Sequence, residues 1–327
     1  MRDNTPVTLP APLIDQHGRT KQKLRVSLTD RCQYRCTYCM PTTPTWIPQD
    51  LRLTAAERNR LITLMVQRGI THIRLTGGEP LIAPDLYPTL THLQSLRAQG
   101  LTKVSLTTNG ALLAQHAATL LAAGLDDVNV SLDTLNPERF LALSGGRGTV
   151  DEVLEGIAAA QAVGLAVKLN CVVLRDVNFG DMPDLTRWAM AQHLPLRLIE
   201  FMPLDDGEQW QKTRVVSEAE LLTQLGAHWR ITPQPRDKSP ATTYLLDDAF
   251  PLGIISTITN PFCSNCNRLR LTADGQLFSC LFAQSGQDLR ALLRAGNSDD
   301  SLTKAIARHV WNKARGFDHA FEAQYTV

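Results

Sequence analysis

The sequence predicts an α/β fold built on parallel strands, with a strand-rich C-terminal extension. Three observations carry this: six short β-rich runs in the first two-thirds, a helix-period stretch between each pair, and a change of rhythm after about residue 205. The runs are LRVSL (24–28), HIRLT (72–76), KVSLTTN (103–109), DVNVSLD (127–133), AVKLNCVVL (166–174) and LRLIEF (196–201). Between them, helical spacing covers 54–68, 85–99, 111–123, 150–163 and 181–193. Thr54 with Glu57 three residues on reads as a capping box, and Gly69, Gly100, Gly124 and Gly164 stand where helices end. Such β–α alternation implies right-handed crossovers between parallel strands, which either an open sheet or a partial TIM-like (βα)6 barrel satisfies.

Beyond residue 205 the order is different. A helix near 217–225 precedes the strand-like runs HWRIT, TTYLLDD, PLGIISTIT, NRLRLT and QLFSCLF, and Asp274-Gly275 marks a hairpin. Helices near 288–295 and 301–313 follow, and Pro233 to Pro240 reads as a mobile connection. The organisation expected is a parallel region over 1–205 and an extension over 206–327.

Bulk properties narrow the function classes. A hydrophobic fraction of 43% with 20% charged residues is that of a globular chain. No apolar run approaches the roughly 20 residues of a membrane helix, and Met1 to Pro12 is polar and Pro-rich, unlike a signal peptide; a cytoplasmic location is expected. With a formal net charge of +1, no global field draws in nucleic acid or an anionic membrane. Any anion site is local.

Six of the seven cysteines form two triplets. Cys32, Cys36 and Cys39 follow the first strand in a CxxxCxxC loop. Thiolates are the usual ligands of iron–sulfur clusters, and three of them on a four-iron cluster leave one iron open. S-adenosylmethionine (SAM) can chelate such an iron through its amino and carboxylate groups. The alternatives are a redox dithiol or a zinc site, though structural zinc takes four protein ligands and no histidine is near in sequence. Cys263, Cys266 and Cys280 form the second triplet in the extension. A second cluster with an open iron is favoured, and a Cys3His zinc site completed by His228 or His309 stands beside it. Cys171, in an apolar run, reads as a core residue.

Basic residues interrupt several strands: Arg25, Arg74 and Lys168 in the parallel series, and Arg268 and Arg270, which alternate with leucines and so face one side. Singly, each reads as a solvated strand end. Together beside two cysteine triplets they suit a polyphosphate, since cations buried without anions cost several kcal/mol each and arginine makes forked phosphate contacts.

These motifs carry a resemblance. CxxxCxxC with Tyr38 before the last cysteine, and Gly77-Gly78-Glu79-Pro80 after the second strand, resemble the signature of radical SAM enzymes. With RLTGGEP, LTTNG, DDVNVSLDTL, IEFMPL and FCSNCNRLRLTADGQLFSCLF, the chain from about Leu13 to Leu293 resembles the GTP 3′,8-cyclase family, which opens molybdenum cofactor biosynthesis. The resemblance implies a partial (βα)6 TIM-like barrel of the radical SAM type whose extension carries a second [4Fe–4S] cluster. It implies that Cys32, Cys36 and Cys39 hold the SAM cluster and Cys263, Cys266 and Cys280 the auxiliary one. It assigns SAM contacts to Tyr38, Gly78, Ser131 and Met202, the last through its backbone, and GTP contacts to Arg25, Arg74, Thr107, Lys168, Arg268, Leu269 and Arg270. The implied reaction is reductive SAM cleavage, removal of the ribose C3′ hydrogen of GTP by the 5′-deoxyadenosyl radical, and closure onto guanine C8. An electron donor such as flavodoxin, a downstream cyclic pyranopterin synthase and a homodimer are implied partners. The family's chains end in two glycines, whereas this one ends in Thr326-Val327. That difference keeps two alternatives beside the main reading: a radical SAM enzyme acting on another substrate such as a peptide, and a non-catalytic paralogue.

Overall fold

A computed structural model describes residues 11–41, 43–203, 210–236 and 239–316. The parallel series is β1 (Lys23–Ser27), α1 (Ala55–Gln67), β2 (His72–Thr76), α2 (Leu86–Ser95), β3 (Lys103–Thr108), α3 (Leu113–Ala122), β4 (Asp127–Ser131), α4 (Pro137–Leu143), α5 (Val150–Ala162), β5 (Ala166–Val173), α6 (Met182–Ala191) and β6 (Leu196–Glu200). The extension adds α7 (Glu218–Gly226), β7 (Ile231–Pro233), β8 (Thr242–Leu246), β9 (Phe250–Ile255), β10 (Arg268–Leu271), β11 (Gln276–Phe278), β12 (Gln287–Asp288), α8 (Leu289–Arg294) and α9 (Asp299–Trp311). Thr54 and Glu57 form the expected capping box, and Thr149–Glu152 and Ser217–Glu220 form two more.

The twelve strands of the described residues join one sheet, in the order β12-β11-β10-β1-β2-β3-β4-β5-β6-β9-β8-β7. The extension is therefore continuous with the parallel region. Its strand β10 pairs parallel to β1 and β9 pairs parallel to β6, so the parallel strip grows at both edges, each finished by an antiparallel hairpin. Among the described residues no pairing joins the two outer strands, so the sheet is open.

Alternation gives the sheet two unlike faces. Leu24, Val26, Ile73, Leu75, Val128, Leu169 and Leu198 point to the buried side, within one apolar core. Polar and basic residues occupy the other face. That face is concave: neighbouring strands lie about 4.8 Å apart, so β1 and β6 of a flat sheet would be separated by roughly 24 Å. Nonetheless, Arg25 of β1 feels the positive charge of Arg197 on β6.

Candidate active site

The first triplet sits in the loop leaving β1. The Cys39 and Met40 amides donate to the Cys36 carbonyl (3.0 and 3.1 Å), and the Arg35 and Thr37 amides donate to the Ser144 and Leu143 carbonyls, closing a tight turn. Cys39 is exposed, and Cys32 and Cys36 are partly buried. The Gly77-Gly78 loop after β2 lies directly against this turn. The Gly78 amide donates to the Thr29 carbonyl at 2.8 Å, and a Cβ on Gly78 would stand 2.2 Å from the Arg31 carbonyl oxygen. Only glycine permits that approach. Next to it, buried Glu79 accepts from the Leu81 amide, the Thr108 hydroxyl and the Asn109 amide. Burial lifts its carboxyl to about 7 against those bonds. Asn109 in turn points its amide at the Cys32 sulfur, 3.6 Å away.

Tyr38 anchors the other side of the turn. Its hydroxyl donates to Asp133 at 2.5 Å, and the Val172 amide donates to the same carboxylate at 2.8 Å. Burial raises the Asp133 carboxyl to about 6. The bond ties the cysteine loop to β4 and β5, near Ser131. Met202 lies two residues past β6, so all four predicted SAM contacts stand at the carboxyl ends of parallel strands, where ligands of such sheets bind.

The basic residues line up in rungs across the concave face. Register places Arg270, Arg25, Arg74, Ser105 and Asp127 on one rung, Thr107, Asn129 and Lys168 on the next, and Ser131, Asn170 and Arg197 on a third. Arg74 donates to the Thr107 hydroxyl at 3.3 Å. Buried Asp127 collects Lys103 (2.6 Å), Lys168 (3.2 Å) and Arg74 (3.6 Å). Among the described residues, no carboxylate lies within ion-pair distance of Arg25, Arg197, Arg268 or Arg270. The Arg25 guanidinium is consequently held well below its ordinary range, by Arg270 first, then burial, then Arg268, Arg74 and Arg197. Burial first, then Arg268, brings Arg270 down to about 10. A pocket of about 300 Å³, lined among others by Arg25, Arg270, Thr76 and Cys280, opens onto these cations.

Cys263 and Cys266 occupy a short turn before β10, with the Cys266 amide donating to the Cys263 carbonyl at 3.2 Å. Cys280 lies just past β11, beyond the strand rather than within it, and the β10–β11 hairpin carries it back to the pocket. The hairpin turn needs Gly275, whose φ is +83°. Cys266 is flanked by cations: the Lys313 ammonium at 3.1 Å and the Arg268 guanidinium at 3.7 Å from its sulfur. Burial opposes ionisation of this thiol, but Arg268 and Lys313 outweigh it and bring it to about 6. Leu269 is fully buried, its side chain on the face opposite Arg268 and Arg270; only its backbone can reach a ligand on the concave side.

Among the described residues no three His, Cys, Asp or Glu side chains converge closely enough for a single metal ion. Structural zinc takes four protein ligands, whereas three thiolates suffice for a four-iron cluster that keeps one iron open. The His228 ring lies tilted against that of Trp229, with centroids 5.5 Å apart, and among the described residues neither it nor His309 completes a Cys3His set. Cys171 is wholly buried, as its apolar run predicts.

Residues 26–189 match the radical SAM superfamily model, and 194–319 match the model described as Molybdenum Cofactor Synthesis C. A GTP 3′,8-cyclase of Mycobacterium marinum is 44% identical over 315 residues, spanning 93% of this chain and 87% of that one. This chain belongs to the GTP 3′,8-cyclase family of radical SAM enzymes. GTP 3′,8-cyclase 2 of Mycobacterium tuberculosis is 43% identical over 316 residues, with the same shares covered. The fold of Streptococcus suis SuiB, in a crystal structure with its precursor peptide SuiA, is also similar, with a TM-score of 0.65 at 14% identity over 92% of this chain and 68% of that one. Radical SAM enzymes use a [4Fe–4S] cluster and SAM, and members of this cyclase family carry a second cluster. No helix of the described residues is long and apolar enough to cross a membrane.

Sequence reasoning missed four participants. Arg197 carries the same mark as Arg25, a basic residue alternating within an apolar strand. Asp127 opens β4 as a buried acidic residue beside Asp126, a pair that reads from sequence as a solvated strand start. Asp133 and Lys313 gave no local signal, because their partners are far away in sequence. Thr326-Val327 lies outside the described residues.

Proposed function

We propose that this chain converts GTP to 3′,8-cyclo-7,8-dihydro-GTP, the first step toward molybdopterin. The observation that carries this reading is the concave face, where, among the described residues, Arg25, Arg197, Arg268 and Arg270 stand without a carboxylate in ion-pair distance and Arg25 and Arg270 line the pocket at Cys280. A triphosphate supplies the missing anions. Arg25, Arg74, Lys168, Arg197, Arg268 and Arg270 hold it, Thr107 adds a hydroxyl, and Leu269 contributes its backbone. Cys32, Cys36 and Cys39 hold the SAM cluster. Tyr38, Gly78, Ser131 and the Met202 backbone position SAM over it. When bound, that cluster supplies the electron that splits SAM into methionine and the 5′-deoxyadenosyl radical. Cys263, Cys266 and Cys280 would hold the second cluster, whose open iron would offer a Lewis-acidic point to the guanine.

The division of labour follows the sequence: residues 1–205 form the radical-generating half and 206–327 the second-cluster and substrate half. Holding the ribose C3′ hydrogen near the SAM methylene is work for the rungs, whose spacing fixes the distance from phosphate to sugar. The apolar side of the sheet and the helices upon it exclude water from behind. A flavodoxin-like donor, a cyclic pyranopterin synthase taking the product, a homodimeric state and a cytoplasmic location complete the proposal.

The test is anaerobic incubation of reconstituted protein with SAM, dithionite and GTP, with product analysis by mass spectrometry. Cyclised nucleotide formed together with 5′-deoxyadenosine is the expected result. SAM cleavage that GTP neither stimulates nor channels into a cyclised product sinks the proposal.

A further inference from the structure

Behind the second triplet the two ends of the described chain meet. Arg19 donates from Nη1 to the carbonyls of Cys263 and Arg315, both at 2.7 Å, and from Nη2 to that of Ala314 at 2.9 Å. Its Nε donates to Asp15 at 2.7 Å. Fully buried Lys21 donates to the same Asp15 oxygen at 2.6 Å and to the Cys266 carbonyl at 2.9 Å. The N-terminal segment thus clamps residues 313–316 onto the Cys263–Cys266 turn.

Lys313 is the odd member of this knot. It is 3% exposed, yet Asp15, the carboxylate in the knot, is already bound by Arg19 and Lys21. Its ammonium instead contacts the Cys266 sulfur at 3.1 Å and the Arg268 carbonyl at 3.4 Å. A buried ammonium requires a compensating anion, and here a thiolate is the group in reach. Arg268 is farther from that sulfur, at 3.7 Å, and stacks on Phe262. It also stands on the same side of β10 as Arg270 and is assigned to substrate. Lys313 sits on the back of the turn with no such second duty.

We propose that Lys313 is a positioning residue for the second cluster, donating a charged hydrogen bond to the Cys266 ligand sulfur and thereby raising that cluster's reduction potential. The inference rests on the reading of Cys263, Cys266 and Cys280 as cluster ligands. Each one-electron reduction adds a negative charge to the cluster, and a fixed ammonium on a ligand sulfur stabilises the more negative state. Hydrogen bonds to sulfur and local charge are among the levers that set such potentials.

The experiment uses full-length protein carrying Cys32→Ala, Cys36→Ala and Cys39→Ala, which isolates the second cluster. Iron and sulfide per chain are counted, and the midpoint is read by potentiometric titration with dithionite, followed by electron paramagnetic resonance. If this parent takes up no iron, the cluster reading itself fails. Given a loaded parent, Lys313→Met is expected to be at least tenfold harder to reduce at a fixed potential, a downward shift of about 59 mV or more for one electron. Lys313→Arg is expected to recover most of that shift. A fully loaded Lys313→Met with an unchanged midpoint overturns the inference. Should Lys313→Met lose iron instead, recovery by Lys313→Arg upholds the inference and failure to recover overturns it. Should Lys313→Met fail to fold, Lys313→Gln, a donor without charge, is judged by the same midpoint criterion.

Discussion

Asp127 is the counter-charge of the concave face, and replacing it with asparagine isolates what it does. The carboxylate is 2% exposed and serves Lys103, Lys168 and Arg74, whose side chains are 39%, 28% and 14% exposed. Breaking a wholly buried pair costs about 3–5 kcal/mol, whereas an exposed pair is worth about 0–1 kcal/mol. Lys103 regains water easily and Arg74 hardly at all, so Asp127→Asn is expected to cost about 2–3 kcal/mol. With a urea slope of about 2–3 kcal/mol per molar, the midpoint falls by about 1 M. Acid adds a second readout. Lys103, Lys168 and Arg74 outweigh burial and hold the Asp127 carboxyl far below the ordinary carboxylate range. Its contribution is therefore complete above the unfolded value of about 3.9 and fades as pH drops below that toward the folded value. The gap between parent and variant stays level from pH 7 to 5 and narrows by pH 3. An unchanged midpoint at pH 7, or a gap that acid leaves intact, refutes the assignment.

Further outcomes follow from the same geometry. Arg270→Met removes one cation from the pocket; calorimetry should show GTP binding weakened about 10- to 100-fold, as for the loss of a charged hydrogen bond of about 1.5–3 kcal/mol, with SAM binding unchanged and the loss smaller at high salt. Gly78→Ala drives a methyl into the Arg31 carbonyl. The overpacking cost of about 1–3 kcal/mol falls on the loop beside Cys32, so iron uptake at the first triplet should drop while the second triplet still loads. Tyr38→Phe leaves Asp133 with the Val172 amide as its remaining partner in this pair of bonds. A stability loss of about 1–2 kcal/mol and weaker SAM binding are expected, measured by thermal melting and equilibrium binding.

Much of this was readable one residue at a time. The strands of the parallel series announce themselves by alternation, and the helices by capping boxes such as Thr54–Glu57. Helix α4 was passed over although Asn136 caps it and Pro137 opens it, because seven residues are too few for a period to stand out. The candidate site was legible where chemistry is local, in the two cysteine turns and in arginines stranded among leucines. What joins them was not. That Arg25 lies between Arg74 and Arg270 depends on the register of strands drawn from opposite ends of the chain. Asp127 becomes meaningful only when four strands, β2 to β5, are aligned. Lys313 meets Cys266 because a helix at the far end packs behind the turn, and no spacing in the sequence encodes that encounter.

The pairing of β10 with β1 also governs when the protein can form. Until β10 emerges from the ribosome, the outer edge of β1 has no partner on that side, and an open parallel edge is a template for unwanted association. Contacts between such distant segments pay their loop-closure entropy late, which slows folding. The first cysteine turn can mature while the chain is still being made. The second must wait for β10, α9 and the Asp15 knot to come together. On the proposed ligand assignments biogenesis is staggered: a nascent chain would acquire the means of making a radical before it has the chamber in which to confine one, and limiting reductant and SAM during synthesis should matter most in that interval.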